Sequence, residues 1–227
     1  MRDVPPDESA ARALYIGAAV ALVAFCIVVQ QVMANGWLVT VDRNLAQRAA
    51  HDDFFEVIIG QHAQRGGLVH ASRAITPLGN VVVLLVISLV AATVLWSRDR
   101  QRAAVFVPGA LVSGALLDIV LRTIIGDARP ALPDPWRYIS HFGLPSGHAL
   151  DVTVCFTALL IVAWTTLAPV WRGVATVAVA AVVAAVAASR VVILVHYLSD
   201  VLGGVALGLA WVLFLAAVFR PWQERTV

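Results

Sequence analysis

The chain has 227 residues, 60% of them hydrophobic and 13% charged, with a mean hydropathy of +0.86. Soluble domains are roughly 25% charged, so this composition excludes an ordinary soluble domain and marks an integral membrane protein. Sixteen basic residues, every one an arginine, stand against fourteen acidic ones, and a formal charge of +2 is too even for a nucleic-acid binder.

A spanning helix needs roughly 20 apolar residues, and the chain offers six such stretches, near 14–34, 79–97, 103–125, 149–170, 173–195 and 199–219. The first is too long, and its flank too acidic (Asp3, Asp7, Glu8), for a cleaved signal peptide, and reads as a retained span. Residues 36–78 differ, mixing Asp42, Arg43, Arg48, Asp52, Asp53, Glu56, Arg65 and Arg73 with short apolar groups. Within them, 45–51 and 54–62 predict short amphipathic helices lying at the membrane interface, interrupted by Gly66-Gly67 and Pro77. That segment is either a solvated connector or a cap over a lipid-binding site. No linker or composition shift divides the rest. The expected fold is a single all-α membrane domain over 1–227, with six transmembrane helices and an interfacial helical segment between the first and second. Cys26 and Cys155 fall in apolar stretches, where cysteine behaves as a small hydrophobe.

Six spans place both termini on one side. That side receives Arg98, Arg100 and Arg102 in a very short loop, with Arg172, Arg220, Arg225, Arg2 and Arg12. Short loops weigh most in the positive-inside rule, so both termini are expected in the cytoplasm of a multi-pass cell-membrane protein, with Trp96 and Trp171 as interfacial anchors. The remaining ionisable residues then collect on the extracytoplasmic side. Arg122 and Arg129 end the third span, Ser146 and His148 open the fourth, Ser189 and Arg190 close the fifth, and His196 and Asp200 open the sixth.

This set suits a phosphate ester or anhydride. Arginine presents a planar fork matched to phosphate oxygens and never loses its charge, so Arg122, Arg129 and Arg190 can form a clamp. Ser146-Gly147-His148 opens a helix, whose N–H groups and dipole favour an anion; Ser146 adds a hydroxyl donor and Gly147 lets an oxygen approach the backbone. His196 and Asp200, four residues apart, share a helix face if the turn is regular, so the carboxylate can hold one imidazole nitrogen and leave the other to attack phosphorus. His148 can protonate the leaving oxygen and then activate water. Which histidine is the nucleophile is not settled by spacing, although the Asp200 pairing favours His196. Asp118, one turn before Arg122, is expected to pair with it, and Asp151 to cap its helix. Gly204 and Gly208 form a small-xxx-small step that marks close helix packing. His51, His62 and His70 read as solvated, while Tyr138 and His141 lie near enough to touch a substrate.

Three rivals are weighed on the same residues. A channel or transporter would need ionisable groups along a path through the membrane, and these cluster at one end. A metal-dependent hydrolase lacks HExxH or His-x2-His spacing, and three arginines would repel a cation. A phosphotransferase, using the same residues with an acceptor other than water, stays open, and a non-catalytic lipid phosphate-binding protein is the weakest.

The ordered segments Arg122-x6-Arg129-Pro130, Pro145-Ser146-Gly147-His148 and Ser189-Arg190-x5-His196-x3-Asp200 resemble the three signature motifs of the type 2 phosphatidic acid phosphatase superfamily. The resemblance implies a metal-independent lipid phosphatase without cofactor, acting on a lipid phosphate in the bilayer. It makes His196 the nucleophile, Asp200 its partner and His148 the general acid, with Arg122, Arg129, Ser146, Gly147 and Arg190 as phosphate ligands. One departure is visible: the family pattern usually begins with lysine, where this chain has Arg122. Polyprenyl pyrophosphate is the favoured substrate, with phosphatidic acid or phosphatidylglycerol phosphate close behind.

Overall fold

The computed structural model describes residues 6–51, 67–127 and 142–223. Among them the regular elements are helical: α1 (Pro6–Met33), α2 (Trp37–His51), α3 (Gly67–Ile75), a 3₁₀ turn (Thr76–Gly79), α4 (Val81–Trp96), α5 (Gln101–Ile125), α6 (Gly147–Trp164), α7 (Pro169–Val192) and α8 (Leu198–Phe219). Five of these, α1 and α5–α8, are long and apolar enough to cross a bilayer. The sixth expected span corresponds to α4. Its 16 residues extend about 24 Å at the α-helical rise, short of a roughly 30 Å hydrocarbon core. It makes a sixth only with the segment before it, from which it is bent by 54°.

The helices show large apolar side chains outward, as lipid-facing surfaces do. Val82, Val86 and Val90 run along one exposed side of α4, and Ile16, Val20, Ile119, Ile124 and Val177 are similarly exposed on other helices. Inside, α6 is the central helix and packs on α4, α5, α7 and α8, while α1 lies along α8. The core between α5, α6 and α8 holds Phe106, Val107, Leu150, Val154, Leu207 and Val212. The small-residue step of α8 does what its spacing predicts. A Cβ on Gly204 would lie 2.5 Å from the Ser146 carbonyl oxygen, and one on Gly208 2.9 Å from that of Leu150. Neither position admits a larger residue without separating the two helices.

The two ends of the bundle differ chemically. At one end Arg100 donates to the Val162 carbonyl at 3.1 Å, Arg172 to those of Leu167 and Trp164, and Arg102 to that of Phe219 at 2.5 Å. These arginines cap the carbonyl ends of α6 and α8, where the helix dipole favours a cation. Arg102 and Arg172 also lie over the rings of Phe219 and Trp164. Trp96 and Trp171 are exposed at this end. At the other end α5 and α7 finish and α6 and α8 begin.

The segment between α1 and α4 departs from expectation in part. Where 45–51 alone reads as helical, α2 starts at Trp37, directly after a turn in which Asn35 takes φ +49. The expected helix at 54–62 lies outside the described residues, as do His62, Arg129, Tyr138 and His141. His70, on α3, is exposed.

Candidate active site

α5 supplies Asp118 and Arg122 near its end, and the two form an ion pair between Oδ2 and Nη2, as acid-then-base at i, i+4 predicts. The helix stops at Gly126, whose φ of +66 directs its N–H onto the Arg122 carbonyl.

α6 meets this pair at its first turn. Ser146 is the N-cap, extended at φ −80 and ψ 112. Its N–H donates to the Asp200 carbonyl at 2.9 Å, which ties the second motif to the third. Its hydroxyl is buried and has no hydrogen-bond partner among the described residues. A Cβ on Gly147 would lie 2.7 Å from Arg122 Nη2 and 2.9 Å from Asp118 Oδ2. Glycine is therefore needed here for the ion pair to rest against the helix N-terminus, a reason distinct from the ligand approach inferred from sequence. Asp151 does not cap α6, contrary to expectation. It lies five residues from Ser146, past the first turn, where its carboxylate cannot reach the first N–H groups; it is buried, and its Oδ1 has no partner among the described residues.

α7 delivers Arg190, and a tight turn brings the chain back. Leu194 takes φ +57, an uncommon conformation for a branched residue. The N–H groups of Val195 and His196 both donate to the Arg190 carbonyl, at 3.2 and 3.3 Å. His196 is thereby stacked on the end of the helix that carries Arg190.

α8 supplies the carboxylate. Asp200, its third residue, folds back so that Oδ2 accepts the Tyr197 N–H at 3.0 Å, half of a capping box. The same oxygen lies 3.0 Å from His196 Nδ1. A carboxylate there assigns the proton to Nδ1 and the lone pair to Nε2. His196 is 3% exposed and Asp200 0%. Burial, and then the charges of Asp200, Asp42 and Asp127, push the Tyr197 phenol up, so it stays neutral at physiological pH.

Four contributors have no signature in the motifs. A Cβ on Gly143 would come within 2.8 Å of Asp200 Oδ2, so this glycine lies flat against the carboxylate. Asp42 of α2 accepts the Ser199 N–H at 3.2 Å and steadies the start of α8. Thr76 Oγ1 accepts from Arg190 Nη1 at 2.9 Å. A Cβ on Gly79 would lie 3.0 Å from His148 Cβ. The one available signal was Thr76-Pro77-Leu78-Gly79, a turn-forming sequence at the edge of a span.

These contacts close on themselves. Arg122 meets Gly147, Ser146 meets Asp200, Asp200 holds His196, and His196 returns to Arg190. Arg190 then meets Thr76, and Gly79 of the same turn meets His148, the neighbour of Gly147. Seven of the eight residues named from sequence are thus brought together; the eighth, Arg129, is not described.

The family model of the PAP2 superfamily matches residues 103–224, more than half of the chain and all three motif segments. The chain belongs to the PAP2 superfamily. As a PAP2 member it is a phosphatase, built as a multi-pass membrane protein. Among solved structures, the chain is similar to a transmembrane PAP2 type phosphatidylglycerolphosphate phosphatase from Bacillus subtilis. The TM-score is 0.73 at 23% identity, over 93% of this chain and 99% of that one. A search of curated proteins gave no significant match. The PAP2 match begins in α5, so α2, α3 and the Thr76–Gly79 turn lie ahead of it.

Proposed function

We propose that the chain is a single-domain, six-span, metal-independent phosphatase that hydrolyses a phosphate monoester or pyrophosphate on a lipid, from the extracytoplasmic side. The observation that carries this reading is the buried His196–Asp200 couple, 3.0 Å apart, within a ring that also contains Arg122, Ser146, His148 and Arg190. The lipid part has its own support. An apolar groove of about 920 Å³ between α1, α6, α7 and α8 begins at Val191 and Leu198, next to the ring. Along α7 its lining reaches Thr176, about 22 Å at 1.5 Å per residue, deeper than one leaflet of roughly 15 Å.

In this mechanism Arg122, Arg129 and Arg190, the Ser146 hydroxyl and the Gly147 N–H bind the non-bridging oxygens and neutralise them as charge develops. Nε2 of His196 attacks phosphorus while Asp200 stabilises the imidazolium through Nδ1. The bond to the leaving oxygen breaks, and His148 gives that oxygen its proton. His148 then takes a proton from water, which attacks the phosphohistidine, releasing inorganic phosphate and restoring His196. Polyprenyl pyrophosphate is the favoured substrate; the name of the solved relative keeps phosphatidylglycerol phosphate beside it.

The test is phosphate release by purified, detergent-solubilised protein in excess EDTA. Polyprenyl pyrophosphate, phosphatidic acid and phosphatidylglycerol phosphate are assayed in parallel, with folded His196→Ala as the blank. Release that persists in EDTA and drops at least about 10³-fold in the variant is expected, since a covalent nucleophile has no local substitute. Near-native release by His196→Ala would sink the covalent route. Phosphate that appears only on adding a second acceptor, as phosphorylated acceptor, would identify a phosphotransferase.

A further inference from the structure

We propose that Thr76 is an additional substrate-binding residue: it fixes the Arg190 fork through its oxygen and donates its own proton to the same phosphoryl group. The assignment rests on Arg190 being a phosphate ligand.

A hydroxyl has one proton to give and two lone pairs to receive. Thr76 uses a lone pair on Arg190 Nη1, across 114 residues of sequence. Four helical threonines, Thr93, Thr123, Thr153 and Thr176, spend the proton on their own helix, each donating to the carbonyl four residues back. Thr76 makes no such bond among the described residues, and its half-buried side chain faces the fork that would hold the phosphate. A phosphoryl oxygen bound to Arg190 would be the nearest new acceptor for that proton.

The turn is built to stay in place. Pro77 is the second residue of the 3₁₀ turn, the Asn80 N–H returns to the Pro77 carbonyl at 3.0 Å, and the Asn80 side chain caps α4 through the Val82 N–H. Three residues after Thr76, Gly79 is buried against His148 and Val186; a Cβ would come within 3.1 Å of His148 Cδ2 and 2.7 Å of Val186 Cγ1. One rigid turn therefore touches both the arginine fork and the imidazole assigned to the leaving group.

The experiment compares Thr76→Val, Thr76→Ser, Thr76→Ala and Arg190→Ala. Each is assayed for kcat/KM on the preferred lipid and for competitive inhibition by inorganic phosphate, with thermal unfolding as a check on the fold. A hydrogen bond to a charged group is worth about 1.5–3 kcal/mol. Thr76→Val, which keeps the shape and removes the hydroxyl, is therefore expected to lose about 10- to 100-fold in kcat/KM, at about 1.4 kcal/mol per decade. Phosphate inhibition should weaken with it, and Thr76→Ser should stay within about threefold of wild type because the bonding group is retained. Thr76→Ala should match Thr76→Val and covers the case in which valine disturbs the turn. Full activity in Thr76→Val with an inactive Arg190→Ala would overturn this proposal and leave the reading of Arg190 standing. An active Arg190→Ala would remove the reading on which it rests. Equal losses in Thr76→Val and Thr76→Ser would assign the effect to packing and also overturn it.

Discussion

Gly143 lies so close to the Asp200 carboxylate that an added methyl group would need to enter space 2.8 Å from Oδ2 and 3.1 Å from Oδ1. Asp200 cannot move away without leaving His196 Nδ1 and the Tyr197 N–H, both 3.0 Å from the same oxygen. Gly143→Ala is therefore expected to lower kcat by at least about tenfold, because misplacing a catalytic group by a fraction of an ångström weakens the attacking geometry. KM should change little, as the arginines are untouched; steady-state kinetics on the folded variant read both, and an unchanged kcat would mean the carboxylate is not needed in that place. Nothing around Gly143 in sequence distinguishes it from a loop glycine. The candidate site residues were legible because histidine, arginine and aspartate are costly in a membrane and so announce themselves. A glycine outside a spaced pattern such as Gly204 and Gly208 announces nothing: its role is the absence of a Cβ, which acquires meaning only when the facing atom is known. The same holds for Gly147, whose neighbour proved to be the Asp118–Arg122 pair. That pair also bears on the lysine-to-arginine departure. A guanidinium has several N–H groups, so Arg122 can keep Asp118 on one and offer others to phosphate.

At the scale of elements, α2 is joined to α8 by Asp42, which is 4% exposed and accepts the Ser199 N–H at 3.2 Å. A carboxylate at a helix N-terminus is favoured by the dipole. Burial works against it, and with the charge of Asp200 outweighs the bonds from Ser199, so the Asp42 carboxyl is raised above its usual value of 3.8. The groups facing it are Asp200, Tyr197, Ser199, Asp127 and Arg43. A raised acid binds its proton more tightly in the folded protein than in the unfolded chain. Docking of α2 is therefore most favourable at acid pH, loses stability as pH climbs from 3.8 through the folded value, and carries the full cost above it. Asp42→Asn keeps an acceptor for Ser199 and removes the charge. It should melt a few degrees higher than wild type at neutral pH, and the gain should shrink to nothing on acidification. A difference in melting temperature that stays constant across pH would refute the buried-charge account. None of this contact was readable from sequence, since Asp42 and Ser199 are 157 residues apart and belong to no shared motif. The helices themselves were readable because a bilayer imposes a minimum length. Their ends were less so: the fourth span stops at Trp164, whereas the stretch read to residue 170 ran through Thr165-Thr166 and the turn before Pro169.

For the whole molecule, the decisive asymmetry is between its two ends. One gathers Arg100, Arg102 and Arg172 on the carbonyl ends of α6 and α8; the other gathers the ring of candidate site residues. Arginines in short loops are retained in the cytoplasm during insertion, so the end that carries them sets the orientation, and the ring is expected to face outward. The consequence would be chemical: with the ring facing outward, only lipids whose phosphate is presented on the outer leaflet would be substrates. Single cysteines introduced at each end, after replacing Cys26 and Cys155, test this directly. Ala34 follows α1 at the ring end, and Ser97 follows α4 at the arginine end; both are exposed. In intact cells a membrane-impermeant maleimide should label Ala34→Cys, while Ser97→Cys should react only after permeabilisation. The reverse pattern would turn the ring inward, exclude outer-leaflet lipids, and require the substrate to be sought among phosphates made in the cytoplasm. Labelling of both residues in intact cells would mean an even number of crossings between them, so that α4 and the bent segment before it do not form one full span.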